Sequence, residues 1–180
     1  MNWQFFKMPA MATLILSNLI YCSSTPRSTQ LQGEDILETT AVIAYNLNTS
    51  LFFTECKTSK TPIRLSYQKA ENLSTDMIRP SEQWLFVEKV IDSVPLQELK
   101  KEYGIATIRS AEKIDGRSAF LNRDVTHLMT ATVTTVTRDV YKDRTDAYKC
   151  QYEILNLDTN EVVWSDSYEI KRVASGLSWD

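Results

Sequence analysis

The chain has 180 residues, 43% of them hydrophobic and 24% charged, with a formal net charge of −3. That length holds a leader and one domain with a real core, and the composition is that of a globular protein, which excludes a disordered or fibrous chain. The acidic balance, with no local block of Lys and Arg, argues against a nucleic-acid partner, and the scarcity of glycine, four residues in all, counts against a phosphate-cradling loop, which needs several close together.

The N-terminus reads as an export leader. Met1 to Lys7 carries one positive charge and no acid, and Met8 to Tyr21 is mostly apolar. A weakly basic stretch before a short apolar run is the pattern of a secretory signal. The run falls short of the roughly 20 apolar residues a membrane span needs, and Pro9 and Asn18 interrupt it. The bland alternative is a buried N-terminal helix, but the chain turns abruptly polar at Cys22-Ser23-Ser24-Thr25-Pro26. Leu19-Ile20-Tyr21-Cys22 followed by Ser, Thr and Pro resembles a bacterial lipobox, in which the Cys becomes the first mature residue and carries acyl chains. Tyr21 stands where a lipobox has a small residue. The resemblance implies lipid attachment at Cys22; an ordinary cleaved signal with a free thiol, or an uncleaved anchor, stays open. The expected organisation is a signal peptide over 1–21, a lipidated Cys and flexible tether over 22–33, and a globular domain over 34–180. Fully stretched, Ser23 to Gly33 reaches about 40 Å.

In the body of the chain, Ile36, Leu37, Val42, Ile43, Leu47 and Leu51 recur at three- and four-residue steps, which predicts a helix over 34–53. Glu34 and Asp35 lie at its start, where the helix dipole favours acids. Residues 54–61 read as a loop and 62–67 as a strand. Ala70 to Thr75 reads as turn chemistry. Trp84-Leu85-Phe86-Val87 fits a buried strand or a helix begun by Pro80, and the strand is favoured. Leu96 to Tyr103 reads as a helix capped by Gly104, with a second short helix over 105–114. Asp115-Gly116-Arg117 is a turn.

The last third is the clearest. Residues 127–138, rich in Thr and Val, have strand composition. Tyr148, Cys150, Tyr152 and Ile154 alternate onto one face. Residues 157–161 break the strand, with Asn160 best able to adopt left-handed φ. Val162, Trp164, Tyr168 and Ile170 then share a face, with Asp166 the exception among them. The order of elements predicts a single α/β (α+β) domain, a mixed sheet packed with helices and closed by a C-terminal hairpin.

Signals for chemistry are sparse. His127 is the sole histidine, no G-x-S-x-G elbow is present, and metal sites need clustered ligands that one His does not supply. No catalytic residue, cofactor, metal or small-molecule substrate is expected. Cys56 and Cys150 have no C-x-x-C context; their separation permits a bridge without demanding one. Asn48-Thr49-Ser50 and Asn72-Leu73-Ser74 match the glycosylation sequon, which carries little weight if the organism is bacterial, and Asn48 lies within a predicted helix.

The stretch from Tyr148 to Asp166 resembles the closing hairpin of the penicillin-binding-protein activator lipoproteins: an alternating strand, an Asp/Thr turn, Glu161, two valines and Trp164. Asp124 to Ala131 is similar to the element before it, and Ala70 to Ser74 to the exit of the family's first strand. The resemblance covers about the last third of the chain. It implies a non-enzymatic envelope lipoprotein, anchored in the outer membrane and facing the periplasm, whose partner is a peptidoglycan synthase. Asn160 stands where the family has Gly, and the tether after Cys22 is short for a protein that must reach across to a second membrane. A structural or assembly lipoprotein of the same fold with a different partner is the runner-up, and a secreted hydrolase the third reading.

Overall fold

The computed structural model describes residues 28–58, 63–109, 125–140 and 143–175. The leader, Cys22, the turn at 115–117 and the chain from 176 onward lie outside the described residues. In order come α1 (Gly33–Asn48), α2 (Leu51–Thr58), β1 (Arg64–Tyr67), β2 (Glu71–Leu73), α3 (Pro80–Ile91), α4 (Val94–Tyr103), β3 (Ala106–Arg109), β4 (His127–Val140), β5 (Asp143–Asn156) and β6 (Glu161–Ser175). The six strands make one sheet in the order β3-β1-β4-β5-β6, with β2 also beside β4. Pairings of β1 with β3 and of β1 and β2 with β4 are parallel, and β4-β5-β6 is an antiparallel meander. The expected α+β domain with a mixed sheet is therefore what forms.

Hydrophobic burial explains the helical layer. Ile36, Ile43, Ala44 and Leu47 of α1 are buried together with Phe86, Val87, Val90 and Ile91 of α3, and α1 packs on α3, α4 and β6. The apolar stripe of α1 thus closes over the sheet face carried by Met129, Ala131, Val133, Tyr148, Cys150, Tyr152 and Ile154. The predicted inward set on β5 is all buried. At the head of α1, Asp35 Oδ2 accepts the Gln32 N–H at 2.7 Å, satisfying a donor that the helix leaves open.

Five expectations need correction. The helix predicted over 34–53 is two helices, and the second runs on through Thr58, into the stretch the sequence predicts as a loop. The Thr49 hydroxyl donates to Tyr45 O at 3.1 Å and the Ser50 hydroxyl to Leu47 O at 2.6 Å, so side chains compete with the backbone ladder and the helix breaks between them. Ala70 to Thr75 is not all turn: Glu71–Leu73 pairs with Thr132–Thr134, and the turn begins at Ser74, whose N–H donates to Asn72 Oδ1 at 3.0 Å. The favoured strand at Trp84–Val87 is helix. Pro80 stands in its first turn, Glu82 accepts the Arg79 N–H at 2.9 Å, and the buried residues are spaced as on a helix; a four-residue apolar run cannot reveal its own period. The second short helix over 105–114 is instead β3, which continues the sheet beside β1 through β-branched Thr107 and Ile108; residues 110–114 lie outside the described residues.

The fifth concerns the hairpin. Its turn is as expected, with Asn160 at φ 59°. Leu155 opposes Val162 and Ile154 opposes Trp164, so Val163 is an extra residue. This bulge reverses the alternation. Trp164 packs against the core, while Val162 is turned away and 52% exposed. Gly104 closes α4 in left-handed conformation, φ 66°, as the sequence predicts.

Candidate functional site

Residues 28–32, read from sequence as tether, run against the end of the sheet. Thr29 is buried, and its hydroxyl donates to the carboxylate of Asp146, a buried residue on the inward face of β5. Arg144 Nε donates to the same oxygen at 3.0 Å. The Tyr148 hydroxyl sits between the Thr29 carbonyl oxygen, at 3.0 Å, and the carboxylate of Asp76, which also accepts the Leu31 N–H at 3.4 Å. Burial pushes Asp146 toward protonation, but hydrogen bonds from Thr137 and Thr29 and the Arg144 guanidinium outweigh it and hold the carboxyl below its ordinary range. Burial and the bond to Asp76 raise the Tyr148 phenol far above its usual value, so it stays a donor. The point where the chain joins its N-terminal segment is thus clamped by buried polar groups. One signal could have found it: Asp146 has the same parity as Tyr148 and Tyr152, so strict alternation already turns it inward.

A second polar row joins α1 to β6. Asn46 Nδ2 donates to Asp166 at 2.7 Å, Tyr168 OH to Glu38 at 2.5 Å, and Arg172 to Asp35 at 2.6 and 3.1 Å. Asp166 is no exception to its face after all, since Asn46 waits opposite it. Of the carboxylate pair Glu34-Asp35, Asp35 is buried and committed to Arg172, while Glu34 is exposed.

An open cleft of about 500 Å³ lies where β1 passes into β2. Tyr67 opposes Met129 and Glu71 opposes Thr132, so one more residue runs on that side than on β4. The chain swings away, and the Ala70 N–H donates to Gln83 O of α3 at 3.0 Å. Gln68, Asn72, Gln83 and Trp84 line the opening. Its groups are largely engaged: Asn72 holds its own turn, Gln83 Nε2 donates to Ile78 O at 3.0 Å, and Arg109 lies 3.8 Å over the Trp84 ring.

The remaining chemistry-bearing residues are placed structurally. His127 opens β4 half-buried, with Nδ1 2.8 Å from the Thr126 hydroxyl and its ring edge-on to Phe52; burial lowers its pKa, partly opposed by Asp158. Cys150 is a free thiol inside the core, so the Cys56–Cys150 bridge left open by the sequence is not formed. Burial pushes that thiol up to about 12. Among the described residues, no group of three or more His, Cys, Asp or Glu side chains is arranged to hold a metal, and no helix is long and apolar enough to cross a membrane.

No protein-family model and no curated protein matches the chain. Solved structures do. The LpoB C-terminal domain from Salmonella enterica is 10% identical with a TM-score of 0.47, covering 76% of this chain and 98% of that one. The LpoB C-terminal domain from Escherichia coli is 12% identical with a TM-score of 0.45 over the same shares. The lipoprotein GNA1162 from Neisseria meningitidis is 16% identical with a TM-score of 0.42, covering 62% and 84%. The chain resembles the penicillin-binding-protein activator lipoproteins in the sequence of its last third, and solved domains of that family are among the structures it is similar to.

Proposed function

We propose that this chain is an envelope lipoprotein, anchored through Cys22, that regulates a peptidoglycan synthase by binding it. The observation that carries the reading is the leader: an apolar run ends at Cys22, and a Ser/Thr/Pro stretch follows at once. Export followed by acylation holds a soluble domain at a membrane surface, and confinement raises its effective concentration for a partner on that membrane. The hairpin's resemblance supplies the partner class, a penicillin-binding protein. Regulation then requires tighter binding to the synthase's active state than to its resting one.

The clamp at Thr29 favours a second reading. With Thr29 buried, six residues, 23–28, separate Cys22 from the clamp, and six residues span at most about 20 Å. A domain held that close fits an assembly or structural role beside its own anchor as well as it fits regulation of a synthase. Mass spectrometry of the mature N-terminus tests the anchor: acyl mass on Cys22 is expected, and an unmodified terminus elsewhere defeats both readings. Adding the purified chain, in detergent, to candidate synthases separates them. Binding with a changed rate supports regulation, and binding without one supports assembly. Turnover of a cell-wall substrate by this chain alone overturns both.

A further inference from the structure

β6 is the edge of the sheet. Its inner edge pairs with β5 over its whole length, and among the described residues no strand lies on the other. A long free edge is a template for another strand, and proteins that leave one open usually blunt it. Here the one irregularity, the bulge at Val163, lies at the start of the strand. From Ser165 to Ser175 the edge runs without proline or further bulge. The Ser167 N–H donates to Asp166 Oδ1 at 2.7 Å rather than to β5. Backbone groups alternate in direction along an antiparallel strand, so those of Glu169, Lys171 and Val173 are directed to the free edge.

We infer that β6 pairs with β6 of a second copy of this chain, antiparallel, about a two-fold axis at Ile170. The charge pattern selects both occupant and register. Ser165, Ser167, Glu169, Lys171 and Val173 are exposed on the outer face, and Glu169 and Lys171 lie within 3.5 Å of each other along the strand. With the axis at Ile170, each Glu169 opposes the Lys171 of the other copy, giving two opposite-charge cross-strand pairs. An axis at Glu169 or Lys171 puts like charges face to face. An axis at Tyr168 or Arg172 opposes each charge with Ser or Val. Half-residue axes set the outer face of one copy beside the inner face of the other and misalign the helical layers. On the inner face the same register lays Tyr168 against Arg172, an aromatic–guanidinium contact. The interface is isologous, as a closed two-fold dimer requires, and is independent of the lipid anchor.

Sedimentation of the full chain in detergent tests this with three charge variants. The unaltered protein sediments as a dimer at tens of micromolar. Glu169→Lys and Lys171→Glu each set like charges opposite one another and weaken the dimer at least tenfold. The double variant Glu169→Lys, Lys171→Glu restores the pairing and recovers the dimer. Both substituted positions are solvent-facing, and circular dichroism confirms equal folding. A monomer at 100 µM overturns the proposal, as does a dimer indifferent to the single reversals or a double variant that stays monomeric.

Discussion

Asp146 is the most exacting single residue. It is buried, yet its carboxylate is held ionised by Thr29, Thr137 and Arg144. Asp146→Asn keeps the shape but loses the charge-assisted bonds, and the expected loss is about 1–3 kcal/mol. The sign with pH follows from the lowered folded pKa. The unfolded carboxyl titrates near 3.9, so the contribution is complete above that value and disappears as pH falls through the lower folded value. Urea midpoints at pH 7 and pH 3 should therefore differ more for the natural protein than for Asp146→Asn; equal differences would remove the carboxylate from the account. Cys150 offers a simpler test at the same scale. With its thiol pushed up to about 12 by burial, the native protein should show no alkylation there at pH 7.5 by peptide mapping, and full alkylation after unfolding. Rapid native labelling would mean the α1–β5 contact opens.

At the scale of elements, α1 and β6 are joined by a row of polar pairs in addition to the apolar core they share. Arg172→Ala leaves Asp35 buried without its guanidinium. Because Arg172 is itself partly exposed, the expected cost is about 1–2 kcal/mol, below that of breaking a fully buried pair. The hairpin makes a paired prediction. Trp164 is partly buried against the core, so Trp164→Ala should cost about 2 kcal/mol, under the range for a fully buried aromatic. Val162→Ala should cost under about 0.5 kcal/mol because the bulge turns it outward. Reversed magnitudes in urea unfolding would place the bulge elsewhere. That pair also shows where the chain was legible. Strict alternation from Tyr148 to Ile154 names a face without ambiguity, and Asn160 and Gly104 announce their left-handed φ because few other residues tolerate it. A bulge leaves no mark in composition: Val162-Val163 reads the same in or out. Trp84–Val87 and residues 105–109 are illegible for a related reason. Short apolar runs take their period from tertiary context, β3 from pairing with β1 and α3 from packing on α1. The clamp at Thr29 was hidden because a Thr in a polar stretch looks like tether until its distant partners, Asp146 and Tyr148, are known.

For the whole molecule, the clamp decides what an anchored domain can reach. Export and acylation at Cys22 would leave residues 23–28 between lipid and fold, so the domain's clamped end stays within about 20 Å of the bilayer. A synthase regulated under that restraint has to bring its binding surface to the same membrane. Inserting about 20 Gly/Ser residues between Arg27 and Ser28 changes the reach without touching Thr29 or any residue of the sheet. A six-residue flexible segment has a root-mean-square span of about 13 Å and a 26-residue one about 28 Å, which dilutes the domain near its own anchor by about tenfold. If the partner resides beside the anchor, capture of that partner by the membrane-bound protein should fall by up to that factor, while binding by the detergent-purified chain is unchanged. The opposite sign has a definite meaning. A partner rooted in the facing membrane would be harder to reach from a short tether at Cys22, and the insertion would then increase its capture. Crosslinking in intact cells, with the natural and lengthened tethers side by side, reads the sign directly, and a rise would refute the same-membrane arrangement that the Thr29 clamp implies.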